Sequence, residues 1–247
     1  MLKTITLSLL LAAASNISAG TITRITYTGE VGDVHGDVSL FGPNGISART
    51  PTTPGTPYSL VYTVNDAAPN ATPSSTATST RIEGVGVITA AITINGISQS
   101  ISGSNQSSAE NNDHQIISGV FTDRTYSASL DYNVTSAFYH AASAESYYSS
   151  NTASFLSTAD YHVPFTYDAT TGGSFYNYVY FNDFDYTTNT QNKNLYLNLS
   201  PGTVSAASVP DTGAATPEPS TFAIALGAFG TVAAMRHRVS RGRSVAG

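Results

Sequence analysis

The chain contains no cysteine and no tryptophan. Without cysteine there is no disulfide staple, no thiol nucleophile and no thiolate metal site, so packing and hydrogen bonds alone must hold the fold. Without tryptophan the commonest sugar-stacking side chain is missing. Charge is scarce as well, with Asp, Glu, Lys and Arg making up 11% of 247 residues. Between residues 20 and 216 there are five basic residues (Arg24, Arg49, Arg81, Arg124 and Lys193) against fifteen acidic ones, a net charge of −10. That balance excludes nucleic acid as a partner, because clustered Lys and Arg carry such binding. It leaves divalent cations open and favours solubility. The C-terminal apolar stretch Phe222–Met235 is fourteen residues, about 21 Å as a helix against a hydrocarbon core of ~30 Å.

Helical periodicity is also missing, and period-two alternation takes its place. Tyr58, Leu60, Tyr62 and Val64 share one strand face, and Ile88, Ala90, Ile92 and Ile94 share another. Asn95-Gly96 follows and leads into Ile97, Gln99 and Ile101, the pattern of a two-residue hairpin turn. Tyr126 to Val134, Phe175 to Phe181 and Leu195 to Leu199 alternate in the same way. With Ile22 to Tyr27 and weaker runs, the alternation predicts roughly nine to eleven strands. Strands without intervening helices imply antiparallel pairing. The predicted fold class is all-β, an antiparallel two-sheet sandwich of jelly-roll type. The Ala- and Tyr-rich window Ser136 to Ser150 is the one place where a short helix is expected. Thr50 to Pro57, Asn65 to Thr80 and Gly103 to Asp113 read as polar loops, and Gly42-Pro43-Asn44-Gly45 as a turn.

The two ends read differently from the body. Lys3 followed by the apolar run Ile5 to Ala14, and then Ile17-Ser18-Ala19, has the layout of a secretory signal peptide cleaved between Ala19 and Gly20; a cut after Ala14 is the alternative. At the other end stand Pro217, Glu218, Pro219, Ser220 and Thr221, then the apolar run 222–235, then Arg236, Arg238, Arg241 and Arg243. Arginines after an apolar segment stay on the cytoplasmic side. This order of motif, apolar helix and basic tip resembles the PEP-CTERM sorting signal of exported bacterial proteins. The resemblance covers about residues 216 to 243. It implies recognition of the tail by an exosortase, an integral-membrane cysteine protease, with processing at or near Pro217 to Ser220. It also implies an association with exopolysaccharide production. The expected organisation is a signal peptide at 1–19, a β-domain at 20–202, a linker at 203–216 and the sorting signal at 217–243, with motif 217–221, transmembrane helix 222–235 and basic tail 236–243. Tyr27-Thr28-Gly29, Leu40-Phe41-Gly42 and Tyr58 to Val64 also resemble, loosely, the opening of other PEP-CTERM proteins and imply an all-β domain.

Candidate chemistry is thin. Asp33, His35 and Asp37 are two apart and would share a strand face, where carboxylates and imidazole can hold a divalent cation; flanking Gly32 and Gly36 favour instead a turn with Asp caps. Asn182, Asp183 and Asp185 could offer oxygen ligands to Ca²⁺, though the glycine and closing glutamate of an EF-hand are missing. His114, His140 and His162 lie in no Ser-His-Asp signature, and no Gly-x-Ser-x-Gly elbow occurs. No catalytic residue is nominated. Fifteen tyrosines are present, with Tyr147-Tyr148 and Tyr176, Tyr178, Tyr180 clustered, either as ordinary strand formers or as a sugar-stacking face. The expected function is a non-enzymatic cell-surface or extracellular-matrix protein. It would be exported by the Sec machinery, held at the inner membrane as a precursor facing outward, and then released to the surface or to a biofilm matrix. The alternatives are a Ca²⁺-dependent carbohydrate-binding module and a polysaccharide-active enzyme.

Overall fold

The computed structural model describes residues 21–117, 120–150, 154–170 and 173–210, with the side chains of 114–122 and 210 excepted. All of them lie in the first of two units into which the chain divides, Met1–Asp211. The signal peptide with Ala19 and Gly20, and the whole sorting signal, lie outside the described residues, as does the imidazole of His114.

Twelve strands form the described part: β1 (Thr21–Gly36), β2 (Pro57–Asn65), β3 (Thr72–Ser75), β4 (Ser79–Glu83), β5 (Ile88–Ile94), β6 (Ile97–Ile101), β7 (Gln106–Ile117), β8 (Val120–Val134), β9 (Phe138–Ser150), β10 (Phe165–Asp168), β11 (Ser174–Asp185) and β12 (Thr190–Pro210). Every pairing is antiparallel. The strands follow one hydrogen-bonded path, β3-β4-β7-β8-β9-β11-β12-β1-β2-β5-β6, with β10 also on β12. The all-β antiparallel reading holds. In place of two separate jelly-roll sheets, one sheet curls on itself until β2 and β5 face β8. Bulges supply the bends: β12 has an extra residue, Gly202, opposite Thr28/Gly29 and another, Asn192, opposite Asp183/Phe184, while β1 bulges between Val31 and Asp33 and β7 between Asn112 and Gln115. At the first, a Cβ on Gly29 would stand 2.1 Å from the Ser200 carbonyl oxygen, so only glycine lets the two strands approach there.

The alternating residues point inward as their pattern requires. Ile25, Leu60, Tyr62, Val64, Ile88, Ile92, Val179, Leu195 and Leu197 are fully buried. At about 25 cal/mol per Å² of apolar surface, these side chains supply the main driving force for closing the sheet. The wall made by β7, β8 and β9 is different, with Ser107, Ala109, Asn111, Thr125, Ser127, Ser129, Ala144 and Ser146 turned inward. Small groups there leave room for the tyrosines of the opposite wall. Tyr62 bonds Ser146 Oγ at 2.9 Å, Ser146 donates to Asn177 Oδ1 at 2.5 Å, Asn177 Nδ2 donates to Tyr58 at 3.1 Å, and Tyr58 donates to the Ser200 carbonyl at 3.2 Å. Such a chain satisfies groups that would otherwise be costly to bury. Burial raises the phenols of Tyr27, Tyr58 and Tyr62, and pushes Tyr27 up to about 12 despite the Thr125 and Ser127 hydroxyls.

Asn95 and Gly96 both have positive φ, at 53° and 77°, and join β5 to β6 with Ile94 opposite Ile97, as the hairpin signal requires. Four expectations are corrected. Ser136 to Ser150 holds no helix: 138–150 is the strand β9, paired on both sides by β8 and β11, which overrides the helix preference of its alanines. Gly103 to Asp113 is not a loop but mostly β7, and Asn65 to Thr80 contains β3 and the start of β4. Nor do Pro201-Gly202 end a strand and open a linker at 203. The pair sits in the bulge opposite Gly29, and β12 continues to Pro210 with Val204 and Ala206 buried.

Candidate functional site

The outer face of β7-β8-β9-β11-β12-β1 carries the polar and aromatic residues that the core rejects. Register sets them in rows. One row runs Glu83, Ser108, Ala128, Glu145, Tyr178, Asn198, Asp33 across seven strands. Its neighbours run Arg81, Glu110, Tyr126, Tyr147, Tyr176 on one side and Gln106, Leu130, Ser143, Tyr180, Tyr196, His35 on the other. Cross-strand neighbours on one face are close enough to touch, so the rows form one continuous surface.

Small side chains in the middle of the rows make a depression of about 190 Å³. Ser108, Ala128 and Ser143 form its outer-face floor, with Tyr126, Leu130 and Tyr178 standing around them. Glu145 is the carboxylate among them, and Tyr178 donates to its Oε2 at 3.2 Å. Burial, helped by the Glu145 charge, pushes the Tyr178 phenol up to about 12 and raises Tyr126 for the same reasons. Both hydroxyls therefore stay neutral at any physiological pH. The aromatic surface continues away from the depression. Tyr176 meets Tyr178 edge to face at 5.3 Å, Tyr178 stacks on Tyr196 at 5.9 Å, and Tyr196 lies 6.4 Å from His35. Tyr176 is 49% exposed. A row of partly exposed rings beside a hydrogen-bonding carboxylate offers flat apolar faces and polar partners together.

The sequence-nominated residues are dispersed by comparison. Asp33 Oδ2 bonds His35 Nε2 at 2.9 Å on the exposed face, while Asp37 turns away and caps the 3₁₀ turn Val38–Phe41 through the Ser39 N–H at 2.9 Å. Hydrogen bonds from Ser39 hold the Asp37 carboxyl below its ordinary range. Asn182 points outward, bonded to Gln191 at 2.7 Å and to Tyr180, whereas Asp183 is buried against His140 and Lys193, with Lys193 Nζ at 3.1 Å. Asp185 closes the β11–β12 turn, accepting from Thr187 N at 2.8 Å and Thr187 Oγ1 at 2.6 Å. Neither trio converges, and among the described residues no group of three or more His, Asp and Glu has the geometry to hold a metal ion.

His162 sits elsewhere, beside a second depression of about 420 Å³ that Ser74, Ser75 and Thr80 also line. Its Nδ1 contacts Asp160 at 2.6 Å and its Nε2 contacts Asp66, which also accepts from the Tyr161 hydroxyl at 3.0 Å. The grip fastens the 154–164 segment to the end of β2, and Ser208 adds a bond to the His162 carbonyl at 2.6 Å. Asp123 holds the start of the same segment, accepting from the N–H groups of Phe155 at 2.7 Å and Leu156 at 3.0 Å.

The tyrosine triplet was visible in the sequence, but Glu145 was not. It lies in an Ala- and Ser-rich stretch, and its role comes from the register of four strands. No helix among the described residues is long and apolar enough to cross a membrane. No protein-family model, no curated protein and no solved structure matches this chain.

Proposed function

We propose that this chain is an exported, non-enzymatic surface or matrix protein that grips a polysaccharide on the outer face of its curled sheet. The observation that carries the binding part is the depression around Glu145 with the Tyr176-Tyr178-Tyr196 ladder beside it. Pyranose rings present apolar C–H faces that stack on tyrosine, and their hydroxyls donate to a carboxylate. A run of rings along neighbouring strands suits a linear polymer better than a single small molecule. Export rests on the two terminal segments and the PEP-CTERM resemblance, which places a Sec-type exporter and an exosortase-type protease among the partners, with exopolysaccharide as the surrounding polymer.

Affinity electrophoresis of the full-length protein in mild detergent, through gels containing neutral or charged polysaccharides with and without Ca²⁺, tests the binding. One matrix should retard the wild type. Tyr178→Ala should weaken the retardation about 5- to 10-fold, the loss of one stacking contact. No retardation in any gel, or equal retardation of the variant, overturns the reading. Deleting residues 217–247 tests export. Unchanged cellular location and unchanged size of the mature body end the sorting proposal.

A further inference from the structure

Glu145 brings a negative charge into the depression, and no Lys, Arg or His pairs with it among the described residues. The nearby cations of this face are engaged elsewhere. Arg81 contacts Glu83 at 2.6 Å and Glu110 at 3.7 Å, and Arg124 contacts Glu110. A carboxylate in a partly dry site lowers its energy by gaining a cation, and tyrosine rings on either side favour a cation too. The surrounding body of the chain, at −10 between residues 20 and 216, draws in positive ligands and repels acidic ones.

We propose that the depression recognises a protonated amino sugar, a glucosamine-type residue of a de-N-acetylated polysaccharide, with its ammonium on Glu145 between Tyr126 and Tyr178. This assignment rests on the polysaccharide reading above and names its ligand class. The ammonium has three donors, enough to meet the carboxylate and one or both tyrosine oxygens. The pyranose ring continues onto Tyr178 and Tyr176, where its C–H face stacks. An N-acetyl group in the same place removes the charge and brings a bulkier acyl group over the floor of Ser108, Ala128 and Ser143. A uronic acid sets carboxylate against carboxylate.

Calorimetry of the full-length protein in mild detergent with hexamers of glucosamine, N-acetylglucosamine and glucose, and with a lysine hexapeptide, decides the matter. The glucosamine hexamer should bind about tenfold tighter than either neutral hexamer, and the preference should fade as pH rises through the amine's titration. Glu145→Gln should abolish the preference, so that on this variant the glucosamine hexamer binds no tighter than the neutral hexamers. Asp33→Asn, which removes the same charge from the far end of the row, should leave the preference intact. Equal affinity for amine and neutral hexamers, a preference that survives Glu145→Gln, or equal loss in Asp33→Asn overturns the assignment. So does an equal grip on the lysine peptide. If neutral hexamers bind through Tyr178 with no amine preference, only the amine assignment falls; if no hexamer binds, the polysaccharide reading falls with it.

Discussion

His162 is held between two carboxylates, so the stability lost on replacing it by glutamine depends on pH in a way that can be worked out beforehand. Burial alone would lower its pKa. The hydrogen bonds and charges of Asp160 and Asp66 outweigh burial and raise it above its ordinary value. A raised folded-state value means that the imidazolium contributes fully below the unfolded value of about 6.5, and that the contribution is lost as pH rises through the folded value. The partners are partly wet, with side-chain exposures of 31% for His162, 27% for Asp66 and 49% for Asp160. Each pair is therefore discounted to about 0.5 kcal/mol, or about 1 kcal/mol together. For a domain of this size that is roughly 2–4 °C in Tm. Asp160, lowered against its own burial by its bonds to His162, sets the acid limit: its contribution is present above about 3.8 and lost as pH falls through its folded value. Thermal melts of wild type and His162→Gln from pH 5 to 8.5 should differ most at pH 5 and converge towards pH 8.5. A gap that stays constant, or widens with pH, refutes the reasoning.

Two further outcomes follow from the core. Asp131 is 8% exposed and accepts from Ser102 N at 2.6 Å, Ser104 N at 2.6 Å and Ser102 Oγ at 2.8 Å; Asp131→Ala should cost about 2–3 kcal/mol by urea denaturation at pH 7. Those bonds hold its carboxyl below the ordinary range despite burial, so the cost should shrink as pH falls through its folded value. Leu197→Ala, at a fully buried site in β12, should cost about 2–5 kcal/mol in the same assay.

Much of the architecture was legible where large apolar residues alternate. Tyr58, Leu60, Tyr62 and Val64 turn inward as a set, and Asn95-Gly96 makes the turn it signals. Legibility failed where the interior is lined by small and hydroxyl-bearing residues. In β7 the inward positions are Ser107, Ala109 and Asn111, so no apolar alternation marks the strand. Ser107 is turned in to bond backbone groups, accepting from the Ile88 N–H at 3.0 Å and donating to the Gly84 carbonyl at 2.6 Å. The second half of β12 offers only Val204 and Ala206 to the core, and Pro201-Gly202 ahead of them mimics a strand end. The Glu145 depression could not be read at all, because Ser108, Ala128, Glu145 and Tyr178 are brought side by side only by pairing across four strands.

Thr21 lies opposite Pro210, so the described body begins and finishes at a single pole. Over Thr203–Ala206, β12 is flanked by β1 on one side and β10 on the other. Tension on the chain past Pro210 would load that ladder one rung at a time, like a zipper, rather than shearing many rungs together. Mechanical failure should start at Pro210 and spread inward, reaching the β11 side and its tyrosines only after the stretch beside β10 has opened.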